Sequence, residues 1–220
     1  MSDASATPTL TPPQAKQRML NVPNSVTLAR LVLAVVLFVL MSQERFAASL
    51  AVFLLAAGSD WVDGYWARKY GQITQLGRIL DPFADKLVVC GAFIFLAGGP
   101  QLADGSGTSG IAPWVAMIVI ARELAVTALR SFVESRGGDF SAKWAGKWKM
   151  VFQCCAIGFS LGRLLWFDPA ARNWSTPPPS WVEQGLTISL WLAVALTIYS
   201  GLDYALVAAK LLRKDRTTTT

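Results

Sequence analysis

Apolar residues along the chain fall into six stretches, near residues 24–41, 46–67, 83–99, 111–132, 150–167 and 185–212. Each stretch is close to the roughly 20 residues that a helix needs to cross a bilayer. Polar segments separate the stretches, and the second and fourth carry charged residues at one end. The pattern predicts an all-α integral membrane protein with six transmembrane helices.

The two ends of the chain differ from this pattern. Residues 1–18 are rich in Ser, Thr, Pro and Ala, which predicts a disordered segment without the features of a secretory signal. We expect residues 14–24 to form a surface helix that precedes the first span. The membrane domain is predicted to cover residues 19–212. A basic, threonine-rich tail follows at 213–220, and we expect the chain from Lys210 onwards to be frayed.

Composition narrows the class further. Hydrophobic residues make up 53% of the chain, charged residues 15%, and the mean hydropathy is +0.41. A soluble domain of this size would carry more charge. Histidine is absent, which excludes Ser-His-Asp and Cys-His catalysis and histidine zinc sites. The net charge of +6 is spread over loops rather than over a soluble basic face, so a nucleic-acid partner is not expected.

Basic residues in the polar segments predict the orientation. The N-terminal segment, the 68–80 and 134–149 connections and the tail carry 13 Lys and Arg residues, whereas the other loops carry only Arg45 and Arg172. Basic loops stay on the cytoplasmic side of a membrane. We therefore expect a multi-pass protein of the inner membrane with both termini and the active site facing the cytoplasm.

Four aspartates in this apolar chain are the main chemical signal. Asp60 and Asp63 are spaced i,i+3, and Asp81 and Asp85 are spaced i,i+4, so each pair shares a helix face. Carboxylates near a membrane are costly unless cations neutralise them. Oxygen ligands without histidine favour a hard cation, Mg²⁺ or Mn²⁺. Two such cations would suit phosphoryl or phosphatidyl transfer.

Other interpretations of the aspartates remain open at this point. Asp81 followed by Pro82 is also a common helix start, with Asp81 as the N-cap. Asp60 and Asp63 could pair with Arg68 and Lys69 at a helix end. A cation transporter would also use acids, but it would spread them along several helices, whereas here they cluster within 26 residues.

The complete pattern, D-x2-D-G-x2-A-R-x8-G-x3-D-x3-D, resembles the signature of the CDP-alcohol phosphatidyltransferase family. The resemblance implies that Asp60, Asp63, Asp81 and Asp85 bind two divalent metals, and that Asp85 is also the general base. It implies that CDP-diacylglycerol is the donor and CMP the leaving group. The donor's cytidine diphosphate would contact four motif residues, namely Gly64, Ala67, Arg68 and Gly77.

Two further segments resemble the branch of that family that uses sn-glycerol 3-phosphate as acceptor. One is 21–30, in which Thr27 and Arg30 could meet the donor's diphosphate. The other contributes the bases expected to bind the acceptor phosphate, namely Arg122, Arg130, Lys147 and Lys149. Met150 departs from this branch, where threonine is expected. Inositol phosphate, serine and phosphatidylglycerol are the alternative acceptors. The resemblance also implies a homodimer.

The acceptor bases have simpler explanations. Arg122 could form an ion pair with Glu123 or Asp203 inside the membrane domain. Lys147 and Lys149 could be ordinary cytoplasmic charges placed just before the fifth helix. The motif therefore predicts the donor, whereas the acceptor depends on these separate bases.

Overall fold

Six helices form the protein in a computed structural model, which describes residues 22–70, 75–134 and 144–218. Side chains are described for residues 28–59, 83–84, 86–131, 144 and 146–206. The helices are α1 (Val22–Ser42), α2 (Phe46–Tyr70), α3 (Gln75–Ala97), α4 (Pro113–Glu134), α5 (Trp144–Arg163) and α6 (Ser180–Thr218). The predicted six-helix, mostly helical architecture is confirmed. The predicted disordered segment 1–18 and most of the predicted surface helix lie outside the described residues.

Close helix packing builds a single apolar core. α1 packs against α2 and α3, α5 against α6, and α4 against α6, while α2 and α3 each also contact α5. Gly91 of α3 lies against the ring of Phe38 in α1, and a Cβ at this position would stand 2.1 Å from that ring. Phe38 in turn stacks on Phe95 of α3, with ring centroids 5.2 Å apart. A glycine is therefore needed where α1 and α3 approach each other.

Two helix starts differ from the sequence prediction. α3 begins at Gln75, so Asp81 and Pro82 lie inside the helix, and the interpretation of Asp81 as an N-cap is wrong. Residues 75–80 contain good helix formers, and proline is tolerated inside membrane helices where neighbours satisfy the freed carbonyl. α5 begins at Trp144, so Lys147 and Lys149 belong to its first turns rather than preceding it.

A short hairpin after α5 is the one described element that the sequence pattern did not predict. A 3₁₀ turn at Leu164–Trp166 leads into β1 (Phe167–Asp168), which pairs antiparallel with β2 (Asn173–Trp174). Two-residue strands are too short to show an alternating pattern of apolar and polar residues. At the C-terminal end of α6, the helical backbone continues to Thr218, through the segment that the sequence predicts to be frayed.

A polar network lies at the end of the bundle beside the hairpin, and we call this region the hairpin end. The Nε of Arg163 donates to Glu183 Oε1 at 2.7 Å, and its NH1 donates to the Thr108 carbonyl at 2.6 Å. The guanidinium also lies over the ring of Trp174, 5.0 Å from its centroid. α5, α6 and the hairpin are therefore held together by one arginine.

The turn between α1 and α2 contains a non-glycine residue in the left-handed region. Glu44 has φ 57°, and the amide of the next residue, Arg45, donates to the Leu40 carbonyl, as in a Schellman helix end. Arg172, in the hairpin loop, has φ 52° and donates to Glu44 Oε1 at 2.8 Å. An ion pair thus joins two residues whose backbones are both strained.

Helix α6 is long and apolar enough to cross a membrane. Among the residues with described side chains, Ser180–Leu206 is a stretch of 27 residues with a mean hydropathy of 1.7. Shorter apolar segments occur at Leu28–Ser42, Phe46–Ser59 and Lys86–Ala97. Large apolar side chains such as Leu54, Met117 and Leu206 lie exposed on the outside of the bundle, as expected for a surface that faces lipid.

Candidate active site

The aspartate motif lies on two consecutive helices. Asp60 and Asp63 belong to α2, and Asp81 and Asp85 belong to α3, with helical backbone through both pairs. Asp60 lies ten residues before the end of α2, and Asp85 lies ten residues after the start of α3. Only four residues separate the two helices, which keeps these helix ends close. The side chains of the four aspartates lie outside the described residues.

Most residues predicted to bind the donor also lie on these helices. Gly64, Ala67 and Arg68 follow Asp63 in α2, and Gly77 belongs to the first turn of α3. Their side-chain surroundings, and those of Thr27 in α1, lie outside the description. Arg30 is described, and its side chain is buried in the packed face of α1, with only 5% of the residue exposed. A buried cation on the helix that contacts both aspartate helices is consistent with a role at the predicted site.

A buried cluster of charged residues lies where α4 meets α5, and we call it the cation cluster: Arg122, Glu123 and Lys149. Arg122 NH1 donates to Glu123 Oε1 at 3.3 Å. Lys149 Nζ donates to the same oxygen. Glu123 is 8% exposed and Lys149 is 4% exposed. One carboxylate oxygen therefore serves two cations, and one of them, Lys149, lies 26 residues beyond Glu123 in the sequence.

Helix α6 forms the wall behind Arg122. Arg122 NH2 donates to Ser200 Oγ at 2.8 Å, and the guanidinium carbon lies 5.7 Å from the centroid of the Tyr204 ring. The backbone of Gly201 lies so close that a Cβ there would stand 3.4 Å from Arg122 Cγ. Ser200 and Tyr204 are i,i+4 on α6 and therefore form one patch that orients the arginine.

A second contact connects the cation cluster to the helix of the aspartates. Lys86, the residue directly after Asp85 in α3, donates from Nζ to Thr127 Oγ1 in α4. Thr127 Oγ1 donates to the backbone carbonyl of Glu123, one turn earlier, at 2.6 Å. The turn of α4 that carries the cluster is thus held against the segment of α3 that carries the aspartates.

The four bases predicted for the acceptor separate into two kinds. Arg122 and Lys149 are brought together in the cation cluster. Arg130 and Lys147 lie on the exposed surfaces of α4 and α5. The simple ion-pair explanation of Arg122 is correct for Glu123. The explanation of Lys149 as an ordinary surface charge is wrong, because its side chain is buried and paired.

Several residues in or beside the cluster are not among the site residues predicted from the sequence. Ser200 and Tyr204 gave no signal, since single polar residues in an apolar helix are common. Glu123 enters the sequence prediction only as a partner of Arg122, although an acid inside an apolar helix is itself an indication of function. Lys86 could have been noticed because it directly follows the last motif aspartate.

The four aspartates predicted to bind metal have side chains outside the described residues. Among the residues with described side chains, no group of three or more Asp, Glu, Cys or His residues could hold a metal ion. The four motif aspartates are not in that set. Their chemistry, oxygen donors alone at helical spacing, fits a hard divalent cation.

Comparisons with known proteins match one family over most of the chain. The sequence profile of the CDP-alcohol phosphatidyltransferases matches residues 20–199. The chain is 33% identical to a CDP-diacylglycerol–glycerol-3-phosphate 3-phosphatidyltransferase of Bacillus subtilis, with 84% of this chain and 94% of the relative covered. Proteins of the same name from Haemophilus influenzae and Escherichia coli K12 are 32% and 31% identical. Of this chain, 86% and 84% are covered, and of those relatives, 93% and 92%. The chain therefore belongs to the CDP-alcohol phosphatidyltransferase family.

Proposed function

We propose that this protein transfers the phosphatidyl group of CDP-diacylglycerol to sn-glycerol 3-phosphate, producing phosphatidylglycerophosphate and CMP in phospholipid biosynthesis. The donor follows from the family and from the complete aspartate motif. The acceptor is supported by the curated relatives, which are named for this reaction. The structural observation that best supports this acceptor is the buried cation cluster. A phosphorylated alcohol needs fixed positive charge beside the aspartate helices.

The reaction is a substitution at phosphorus. A hydroxyl oxygen of glycerol 3-phosphate forms a bond to the phosphorus that carries the diacylglycerol. The bond from that phosphorus to the oxygen bridging the two phosphates breaks, and CMP leaves with the electron pair. We assign the hydroxyl proton to Asp85 as general base, on the strength of the motif. Asp85 lies next to Lys86, the residue that connects α3 to the turn of the cation cluster.

Members of this family generally depend on a divalent metal. In this chain Asp60, Asp63, Asp81 and Asp85 would hold it, and we propose two Mg²⁺ or Mn²⁺ ions. When bound, the metal would stabilise negative charge on the phosphates. Counted in residues along the chain, the two aspartate pairs lie about equally far from the connection between α2 and α3. A site shared by both pairs requires this arrangement.

The remaining motif residues would bind the donor. Gly64 and Gly77 would let the diphosphate approach the backbone, and Ala67 keeps the same part of α2 free of bulk. Arg68 would pair with a phosphate. Thr27 and Arg30 would complete this part of the site from α1, the helix that packs against both α2 and α3.

Family members are membrane proteins, and α6 of this chain can span a bilayer. We propose that all six helices span the inner membrane, with both termini and the active site on the cytoplasmic side. The support is the excess of basic residues in the loops of that side. We also propose a homodimer, on the family resemblance.

Release of CMP tests the reaction. The protein is purified in detergent and supplied with CDP-diacylglycerol, Mg²⁺ and one acceptor at a time: glycerol 3-phosphate, inositol phosphate, serine or phosphatidylglycerol. We expect CMP release well above the water blank with glycerol 3-phosphate. Release with another acceptor, together with none above the blank for glycerol 3-phosphate, would contradict the assignment.

The substitution Asp81→Asn tests the metal site. It removes one carboxylate of the motif, so we expect kcat to fall by about 100-fold or more while the protein still elutes as a single folded species. Asp104→Asn is the matched control, because Asp104 is an exposed loop aspartate whose carboxylate accepts hydrogen bonds from the amide and hydroxyl of Ser106. We expect that variant to keep its activity. Near-normal turnover of Asp81→Asn would refute the metal assignment.

A further inference from the structure

Glu123 occupies a particular place in the cation cluster. It is the one acid below 9% exposure among the residues with described side chains. Its Oε1 accepts hydrogen bonds from both Arg122 and Lys149, which come from α4 and α5. Two buried cations this close repel each other, and each has a long flexible stem that could reach the surface. The shared carboxylate is what keeps both cations at one point.

Within the described contacts, the cluster offers fewer hydrogen-bond acceptors than its two cations can use. Arg122 and Lys149 share one carboxylate oxygen, which is a single acceptor for donors from two helices. The Nε of Arg122 is buried and has no hydrogen-bond partner within the described part of the chain. A buried cation is stable when an anion completes its hydrogen bonds. Both observations indicate a place for an anionic group that Glu123 does not fill.

We infer that Glu123 is a positioning residue for the acceptor's phosphate, acting through Arg122 and Lys149 rather than by contact with the substrate. This inference rests on the proposed use of glycerol 3-phosphate. Glu123 holds the two cations in the geometry that the phosphate meets on arrival. Ser200 and Tyr204 orient Arg122 from the opposite side.

Steady-state kinetics of Glu123→Gln test the role. The amide keeps the size of the side chain and removes the charge that holds the two cations. We expect the KM for glycerol 3-phosphate to rise by about tenfold or more, while the KM for CDP-diacylglycerol stays within about twofold and kcat within about threefold. The matched control is Glu183→Gln, which removes the carboxylate paired with Arg163 at the hairpin end. Both Michaelis constants of the control should equal those of the wild type.

A second variant keeps the test valid if Glu123→Gln does not fold. Glu123→Asp retains the charge but shortens the side chain by one methylene, so the carboxylate cannot reach both cations equally well. We expect an intermediate rise in the KM for glycerol 3-phosphate, about three- to tenfold, with normal elution on size exclusion. If the folded variants keep the wild-type KM for glycerol 3-phosphate, or if both Michaelis constants rise equally, the inference is wrong. Absence of glycerol 3-phosphate turnover in the wild type would instead refute the proposed function.

Discussion

Two arginine–glutamate pairs lie at different levels of the bundle and differ in character. At the hairpin end, Arg163 pairs with Glu183 at 2.7 Å, donates to the Thr108 carbonyl and lies over Trp174. In the cation cluster, Arg122 pairs with Glu123 at the longer distance of 3.3 Å and shares it with Lys149. In the described ion pairs, Glu183 serves one cation, whereas Glu123 serves two.

We relate this difference to a structural contact at the hairpin end and to the proposed acceptor site at the cation cluster. A balanced pair with several donors in use stabilises the junction of helices around it, and an added anion would gain nothing there. A buried cation with an unpartnered hydrogen-bond donor is costly and becomes favourable when an anion binds. Under the proposed function, chemically similar residues would serve stability at the hairpin end and binding of the acceptor in the cation cluster.

The largest effect that would sharpen this comparison is expected from Arg122→Ala. Loss of charge-assisted hydrogen bonds to a phosphate costs about 1.5–3 kcal/mol, so we expect the KM for glycerol 3-phosphate to rise about 10- to 100-fold. The KM for CDP-diacylglycerol should change much less. Initial rates of CMP release at varied concentrations of each substrate measure both constants.

Arg163→Ala is the matched control in the same assay, and we expect both of its constants to equal those of the wild type. A larger rise in the KM for CDP-diacylglycerol than in that for glycerol 3-phosphate for Arg122→Ala would place Arg122 in the donor site instead.

The next effect compares the two lysines of α5. Lys149→Met removes a buried cation of the cluster, and we expect the KM for glycerol 3-phosphate to rise by about tenfold. Lys147→Met removes an exposed charge that solvent screens, and we expect a change of less than about threefold. The same kinetic assay distinguishes them. Equal effects of the two substitutions would mean that the exposed bases contribute as much as the buried cluster.

A smaller effect, on stability alone, is expected at the hairpin end. Arg163→Ala removes the ion pair, the bond to the Thr108 carbonyl and the stacking on Trp174. We expect a loss of about 2 kcal/mol, or roughly 4–8 °C in apparent Tm followed by tryptophan fluorescence in detergent. Lys147→Met, an exposed substitution on the same helix, should leave Tm unchanged. An unaltered Tm for Arg163→Ala would show that this network does not stabilise the bundle.

The smallest effect concerns the strained turn before α2. Glu44→Gly relieves a left-handed backbone, worth about 1 kcal/mol, and loses a partly exposed ion pair with Arg172, worth about 0–1 kcal/mol. We expect Tm within about 2 °C of the wild type and unchanged kinetics. Glu44→Ala loses the pair and keeps the strain, so its Tm should be lower than that of Glu44→Gly. The reverse order would show that the backbone at this position is not strained.

Much of the helical architecture could be predicted from the sequence, because apolar stretches of membrane length are a local property. The start of α3 was less predictable, since Asp81-Pro82 has the chemistry of a helix start even where neighbouring helices support a proline inside the helix. The hairpin at Phe167–Trp174 is too short to produce a pattern. The residue types expected at the site were also predictable, but the partners of each base were not.

The sequence by itself determined the family motif, the oxygen-only set of four aspartates and the positions of the candidate bases. Spacing along a helix and side-chain chemistry are properties of nearby residues, so the printed chain already contains them. Only the tertiary structure decided that Lys149 joins Arg122 at one carboxylate while Lys147 and Arg130 stay exposed. Burial and pairing depend on how α4, α5 and α6 pack, and that packing joins residues that lie far apart in the sequence.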